Sequence, residues 1–155
     1  MLKVNIIAVG KVKEKYFSDG IEEYKKRLSR YADFKIIEIA EEVAKKECEA
    51  DIKSVKETEG EKILPLIKGD AFAMAIEGKE TDSVGFSKII NTAKNDGKEL
   101  TFIIGGSYGL SDKVKEKCSL LSFSKMTFPH TLFRLMLTEQ IYRSFTIING
   151  TAYHK

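Results

Sequence analysis

Leu100-Thr101-Phe102-Ile103-Ile104-Gly105-Gly106-Ser107-Tyr108-Gly109 is the stretch on which the fold turns. Its first five residues are apolar or β-branched with no regular alternation, the pattern of a strand covered on both faces. The glycines then stop the strand, let the backbone turn sharply and let a ligand approach it. The run Ala71-Phe72-Ala73-Met74-Ala75-Ile76 has the same character and stops at Glu77-Gly78-Lys79. Between the two runs, Ser83 to Asn95 sets Phe86, Ile89, Ile90 and Ala93 at helical spacing, and Asp96-Gly97 makes a turn. Strand, helix and strand in this order predict a parallel pair.

The alternation continues outward. Leu2 to Val9 reads as a first strand ending at Gly10. A helix follows from about Phe17 to Tyr31, with Ile21, Tyr24 and Leu28 inward, and Phe34 to Ile39 is a second strand. Asp51 to Ile67 predicts a charged helix with a sparse stripe of Ile52, Val55, Ile63 and Leu66, its end limited by Pro65. Downstream, Ser111 caps a short helix over Asp112 to Cys118, and Leu120 to Met126 is a short strand and loop. Pro129 opens a last helix carrying Leu132, Leu135, Met136, Ile141, Tyr142 and Phe145. The expectation is a single α/β domain over residues 1–155, with a mostly parallel sheet and helices on both faces.

Composition narrows the function classes. Lys and Arg number 26 against 23 Asp and Glu, a balance too even to imply nucleic acid by itself. Its distribution is less even: residues 1–35 hold nine basic and five acidic residues, residues 38–62 nine acidic and five basic, and residues 125–155 four basic and one acidic. If the two ends meet, they make a basic face suited to phosphates. Cys48 and Cys118 stand alone, without the spacing of a zinc site or a disulfide framework, and read as reduced thiols in a cytosolic protein. Leu2 to Val9 lacks the basic flank and small-residue cleavage site of a secretory signal. No run reaches membrane-spanning length.

Ligands of open α/β sheets sit at the carboxyl ends of strands. Three such ends carry the candidate chemistry: Ala75 to Gly78, Ile104 to Gly109, and Phe123 to His130. The glycine turn is not a phosphate-binding loop, because no Gly-Lys-Ser/Thr follows, and its glycine spacing is not that of a dinucleotide fingerprint. It matches G-x-S-x-G between a strand and a helix, so a serine hydrolase with Ser107 as nucleophile is one reading, with His130, His154 and Glu116 downstream. A plain tight turn is another, and a non-catalytic RNA-binding module a third.

Taken together, Phe102 to Ser111, Leu121 to Phe145 and the ending Gly150-Thr151-Ala152-Tyr153-His154-Lys155 strongly resemble the RlmH (YbeA) family of SPOUT-class methyltransferases. The resemblance extends to Ile7 to Lys11, Ala50 to Lys53, Glu59 to Glu61 and Ile76 to Lys79, nearly the whole chain. It implies methylation of N3 of a pseudouridine in 23S ribosomal RNA within the assembled ribosome. It also implies S-adenosyl-L-methionine as cofactor, a C-terminal trefoil knot that periodicity does not predict, and a homodimer.

Carried over position by position, the resemblance implies a cofactor pocket of Met74, Gly105, Phe123, Ser124, Lys125, Met126, Thr127 and Phe128. Met74 is often leucine in the family, and Ser107-Tyr108 stands where the family commonly has Pro-Glu. A base of near-neutral pKa would help remove the N3 proton. His154 is the expected base and His130 the second candidate, and Arg143 is the other expected catalytic residue, suited to bidentate recognition of a phosphate. His130, Arg134, Tyr153 and Lys155 are the expected RNA contacts.

Overall fold

The computed structural model describes residues 1–155. Five strands, β1 (Leu2–Val9), β2 (Ala32–Ile39), β3 (Asp70–Glu80), β4 (Leu100–Ile104) and β5 (Ser119–Ser122), alternate with five helices. The helices are α1 (Lys15–Leu28), α2 (Glu49–Ile63), α3 (Ser83–Asp96), α4 (Asp112–Glu116) and α5 (His130–Ile148). The strands form one sheet in the order β2-β1-β4-β3-β5, and every neighbouring pair is parallel.

Alternate residues along β1 and β4 point to opposite faces, and each face has its own core. Val4, Ile6, Ala8, Phe102 and Ile104 pack with Leu28, Phe86, Ile90, Leu137, Ile141 and Phe145 beneath α1, α3 and α5. Ile7, Val9 and Ile103 pack with Ile39, Ile63, Leu110 and Val114 beneath α2 and α4. The unbroken apolar run read in β4 is explained by this double cover, since all five of its residues are buried.

Three local expectations change. α2 stops at Ile63, because Pro65 is accommodated in a single 3-10 turn, Leu64–Leu66. β3 runs on past Ile76 to Glu80, and Ile76 is half exposed rather than covered. The inward residues of α5 are Arg134, Leu137, Thr138, Ile141, Ser144, Phe145 and Thr146. Four of the seven are polar, so hydrophobic periodicity found Ile141 and Phe145 but also pointed to Leu132, Leu135 and Met136, which are only partly buried.

The pairing of β3 with β5 fixes the working end of the sheet. Met74 and Lys79 both register against Leu121, so residues 75–78 bulge out between them. At Gly78 the two backbones nearly touch: a Cβ there would lie 2.6 Å from the Leu121 amide nitrogen and 2.7 Å from its carbonyl carbon. Backbone has no soft side-chain end to give way. Gly78→Ala is therefore expected to lower unfolding stability by about 1–3 kcal/mol, read as a lower denaturant midpoint at an unchanged slope. A midpoint equal to that of the parent would contradict this account of the crossing.

Candidate active site

The carboxyl ends of β3, β4 and β5 and the first turn of α5 enclose a cavity of about 700 Å³. β4 ends at Ile104, and residues 105–109 fold back on themselves: the Gly109 amide donates to the Gly106 carbonyl at 3.1 Å. A Cβ on Gly105 would lie 2.8 Å from the Gly109 carbonyl carbon, so the turn closes only around glycine. After β5, the Ser122 hydroxyl donates to the Ser124 carbonyl, and the Ser124 hydroxyl accepts from the Met126 amide. These short-range bonds shape the segment leading into α5. Met74, Leu121, Phe123, Phe128 and Phe133 give the cavity apolar walls. Glu77 and Lys115 give it a polar edge, paired at 2.6 Å. The Lys115 ammonium holds the Glu77 carboxyl below the usual carboxylate range.

Of the positions expected around a cofactor, Met74, Gly105, Phe123, Ser124, Met126, Thr127 and Phe128 all border this cavity. Lys125 is exposed and does not. His130 borders it too, with its Nδ1 buried and unpartnered. Sequence reading missed Leu121 and Lys115, and named Glu77 only within a candidate strand end, without its partner. No spacing rule joins Glu77 to Lys115, which meet only because β3 and α4 do.

Ser107 does not stand as a hydrolase nucleophile. It has no positive φ, as the strained turn of a nucleophile elbow would require, and its hydroxyl donates to Glu41 at 3.1 Å rather than to a histidine. Behind the turn lies Glu59, almost fully buried and accepting from the Glu42 amide at 3.0 Å. Burial, and then the neighbouring Glu41 and Glu42 carboxylates, raise its pKa.

The other predicted residues gather at the far end of α5. Glu139 accepts two hydrogen bonds from Arg143, at 3.0 and 2.7 Å, and one from the Tyr153 hydroxyl at 3.0 Å. The Arg143 guanidinium lies 4.7 Å from the centre of the Tyr153 ring, and Tyr24 reaches the Tyr153 hydroxyl from α1. Bonding to Glu139 raises the Arg143 pKa, and burial together with these partners raises that of Tyr153. Arg143 also reaches Nδ1 of His154 at 3.1 Å. A guanidinium can only donate, so Nδ1 accepts and the ring proton sits on Nε2. In this arrangement His154 offers its outer nitrogen as a donor, not as the base expected from sequence. Lys155 is exposed and has no ion-pair partner.

Thirteen residues separate His130 from Arg143 along α5, a rise of about 20 Å. None of Arg143, Tyr153, His154 and Lys155 borders the cavity of its own chain. Arg134 requires a different correction. It is 3% exposed, donates to Glu38 at 2.5 Å and donates to the Gly10 carbonyl at 3.0 Å. It is a buried tie between α5, β2 and the end of β1, and is not available to RNA.

Comparison with known proteins places this geometry. The family model described as "Predicted SPOUT methyltransferase" matches residues 2–154. A Streptococcus uberis protein named ribosomal RNA large subunit methyltransferase H is 49% identical over 159 residues, covering 99% of this chain and 100% of the relative. A Limosilactobacillus fermentum protein of the same name is 50% identical over 159 residues, with the same coverage. A Methanococcus maripaludis protein that carries the name provisionally is 52% identical over 160 residues, again covering 99% and 100%.

The buried carboxyl behind the glycine turn gives the site a pH signature. Because the folded-state pKa of Glu59 is raised, the native protein keeps this proton where the unfolded chain has released it. Stability from this residue therefore falls as pH rises from the ordinary carboxylate range through the raised value. Glu59→Gln keeps an acceptor for the Glu42 amide and removes the titration. The melting temperature of the variant is expected to gain on that of the parent as pH rises through this window, and a pH-independent difference would rule the effect out.

Proposed function

This chain belongs to the SPOUT methyltransferase family, and on that premise we propose that it methylates N3 of a pseudouridine in 23S ribosomal RNA, using S-adenosyl-L-methionine, on the assembled ribosome. The observation that carries the reading is the cavity where the glycine turn meets the segment after β5. Its volume suits a ligand of cofactor size. Met74, Phe123 and Phe128 supply apolar surface for a purine, and the backbone at Gly105 and Thr127 borders the same space. The Glu77–Lys115 pair at the edge matches the opposite charges of an amino-acid moiety. S-adenosyl-L-methionine supplies an electrophilic methyl group when bound, and the protein's task is to hold the acceptor nitrogen in line with it.

The tail supports the second half of the reaction. Loss of the N3 proton to solvent water leaves negative charge on the uracil ring oxygens. Arg143 and the Nε2–H of His154 form a pair of donors able to stabilise it. Glu139 and the Tyr153 ring hold Arg143 in place, so the donors are set before substrate arrives. Tyr153 and Lys155 lie beside them and serve as RNA contacts.

That Arg143, Tyr153, His154 and Lys155 all lie outside the cavity of their own chain supports a homodimer in which each cavity is completed by the tail of the second copy. Isologous symmetry then gives two equal composite sites. We include the family's C-terminal trefoil knot in this reading, and the close packing of β3 on β5 at Gly78 supports a tightly wound chain there. One functional unit spans residues 1–155, working in the cytosol where ribosomes are.

Labelled cofactor and large subunits lacking the modification test the reading. Transfer is expected to a single pseudouridine. His154→Ala and Arg143→Ala should each lower kcat by about a hundred-fold, with cofactor affinity by calorimetry unchanged. No heat of binding to folded protein would refute it. Composite sites make a further demand. Gly105→Leu and His154→Ala are each expected to be inactive, yet mixing them should restore about a quarter of parental activity, from one intact site in each mixed dimer. Activity that stays at zero after subunit exchange is demonstrated would exclude completion in trans.

A further inference from the structure

Residues 11–16, Lys11-Val12-Lys13-Glu14-Lys15-Tyr16, cover the loop after β1 and the first two residues of α1, and take no part in the site described above. Tyr16 is 69% exposed and is the sole aromatic among the exposed large apolar side chains. The edge of Phe17 packs against it, ring centres 4.5 Å apart at 71°, which orients the ring without burying it. Lys11 and Lys13 are exposed and have no ion-pair partner, whereas Lys15 is engaged by Asp19 at 2.9 Å. Glu14 turns one carboxylate oxygen into the protein, where it has no partner.

This segment is anchored beside the cavity. The Gly10 amide donates to Ile39, and the Gly10 carbonyl accepts from buried Arg134. A Cβ on Gly10 would lie 3.7 Å from the ring of His130, which borders the cavity. From there Tyr16 is at most about 20 Å away, even for fully extended chain. Of the acids near this anchor, Glu38 is paired with Arg134, whereas Glu41 accepts only the neutral Ser107 hydroxyl and keeps its charge. Lys11 and Lys13 therefore do not carry the argument by charge alone, and the ring of Tyr16 carries it with them. Free lysines alternating toward an exposed aromatic ring are the chemistry that recognises single-stranded RNA, with phosphates on the ammonium groups and a base on the ring.

We propose that the Lys11–Tyr16 segment is a second RNA contact, in which an unpaired base near the target nucleotide stacks on Tyr16 while Lys11 and Lys13 meet the flanking phosphates. The inference rests on the rRNA methyltransferase reading above, and it gives the buried Arg134 a role in placing the segment.

The test is equilibrium binding of the full-length protein to large ribosomal subunits lacking the modification, across a range of KCl concentrations. Methyl transfer is measured in parallel, and cofactor calorimetry reports on the cavity. For Lys11→Ala/Lys13→Ala, the slope of log affinity against log salt should shrink by about 1.4, for two single-strand phosphate contacts. Tyr16→Ala should weaken binding by about five- to one-hundred-fold, and Tyr16→Trp should restore it. Cofactor affinity should stay at the parental value in all three. Variants that bind the cofactor normally yet bind subunits with parental affinity and slope would overturn the contact, whether or not methyl transfer proceeds. So would a loss confined to phosphatidylserine vesicles, which would assign the patch to lipid. If the parent binds subunits through these residues but transfers no methyl group, the contact stands and the methyltransferase reading falls.

Discussion

The backbone of Leu121 rests against Gly78, with no room for a side chain between them. Most of the functional end of the molecule hangs from that contact. It fixes β5 against β3 despite a register shift around residues 75–78, and so it fixes where the chain emerges after Ser122. Residues 123–129 then have to pass the end of β4 and its glycine turn before α5 begins. The cavity is the space left between these two turns, each shaped by its own short hydrogen bonds. A side chain at Gly78 or Gly105 would push backbone against backbone, the least compliant contact in a packed interior.

α5 carries the consequence along its length. One end closes the cavity through His130 and Phe133, and the other holds Arg143. A rigid helix separates the two by roughly four turns, so no loop motion within one chain brings them together. Arg143 is nevertheless set as precisely as a residue in a working site would be. Two bonds to Glu139 and the Tyr153 ring hold it, and Tyr24 secures Tyr153 in turn. Ordering a long side chain has an entropic cost, and here it leaves one donor directed at His154 and away from the protein's own core.

Two buried ionisable side chains show how the scaffold supports this arrangement. Arg134 satisfies Glu38 and the Gly10 carbonyl, joining the last helix to the first strand. Glu59 sits behind the glycine turn, close to Glu41 and Glu42. Burying a guanidinium or a carboxyl costs free energy unless bonds compensate. Both residues spend that cost on positioning backbone beside the cavity.

The fold was legible because its signal is local. Uninterrupted apolar runs in β3 and β4, helical spacing in α1 and α3, and the stop at Gly105 define a parallel α/β sheet from one-dimensional pattern alone. The segment 123–130 was marked as a ligand-bearing strand end by the topology expected of an open α/β sheet, but its reading as a cofactor wall came from family resemblance, since nothing in its spacing names the ligand. Where local rules failed, a distant partner had intervened. Arg134 reads as a surface base because the acid and carbonyl that bury it lie 96 and 124 residues away in the chain. The polar members of the α5 stripe hid its true face for the same reason. His154 reads as a base until Arg143 is seen to occupy Nδ1. Sequence by itself determined the elements, their order and the class of sheet, because strand and helix periods are written in neighbouring residues. Tertiary structure alone decided which ionisable groups are buried, which nitrogen of His154 is free, and that the tail lines no part of the cavity of its own chain, because these depend on elements that meet only once the sheet has closed.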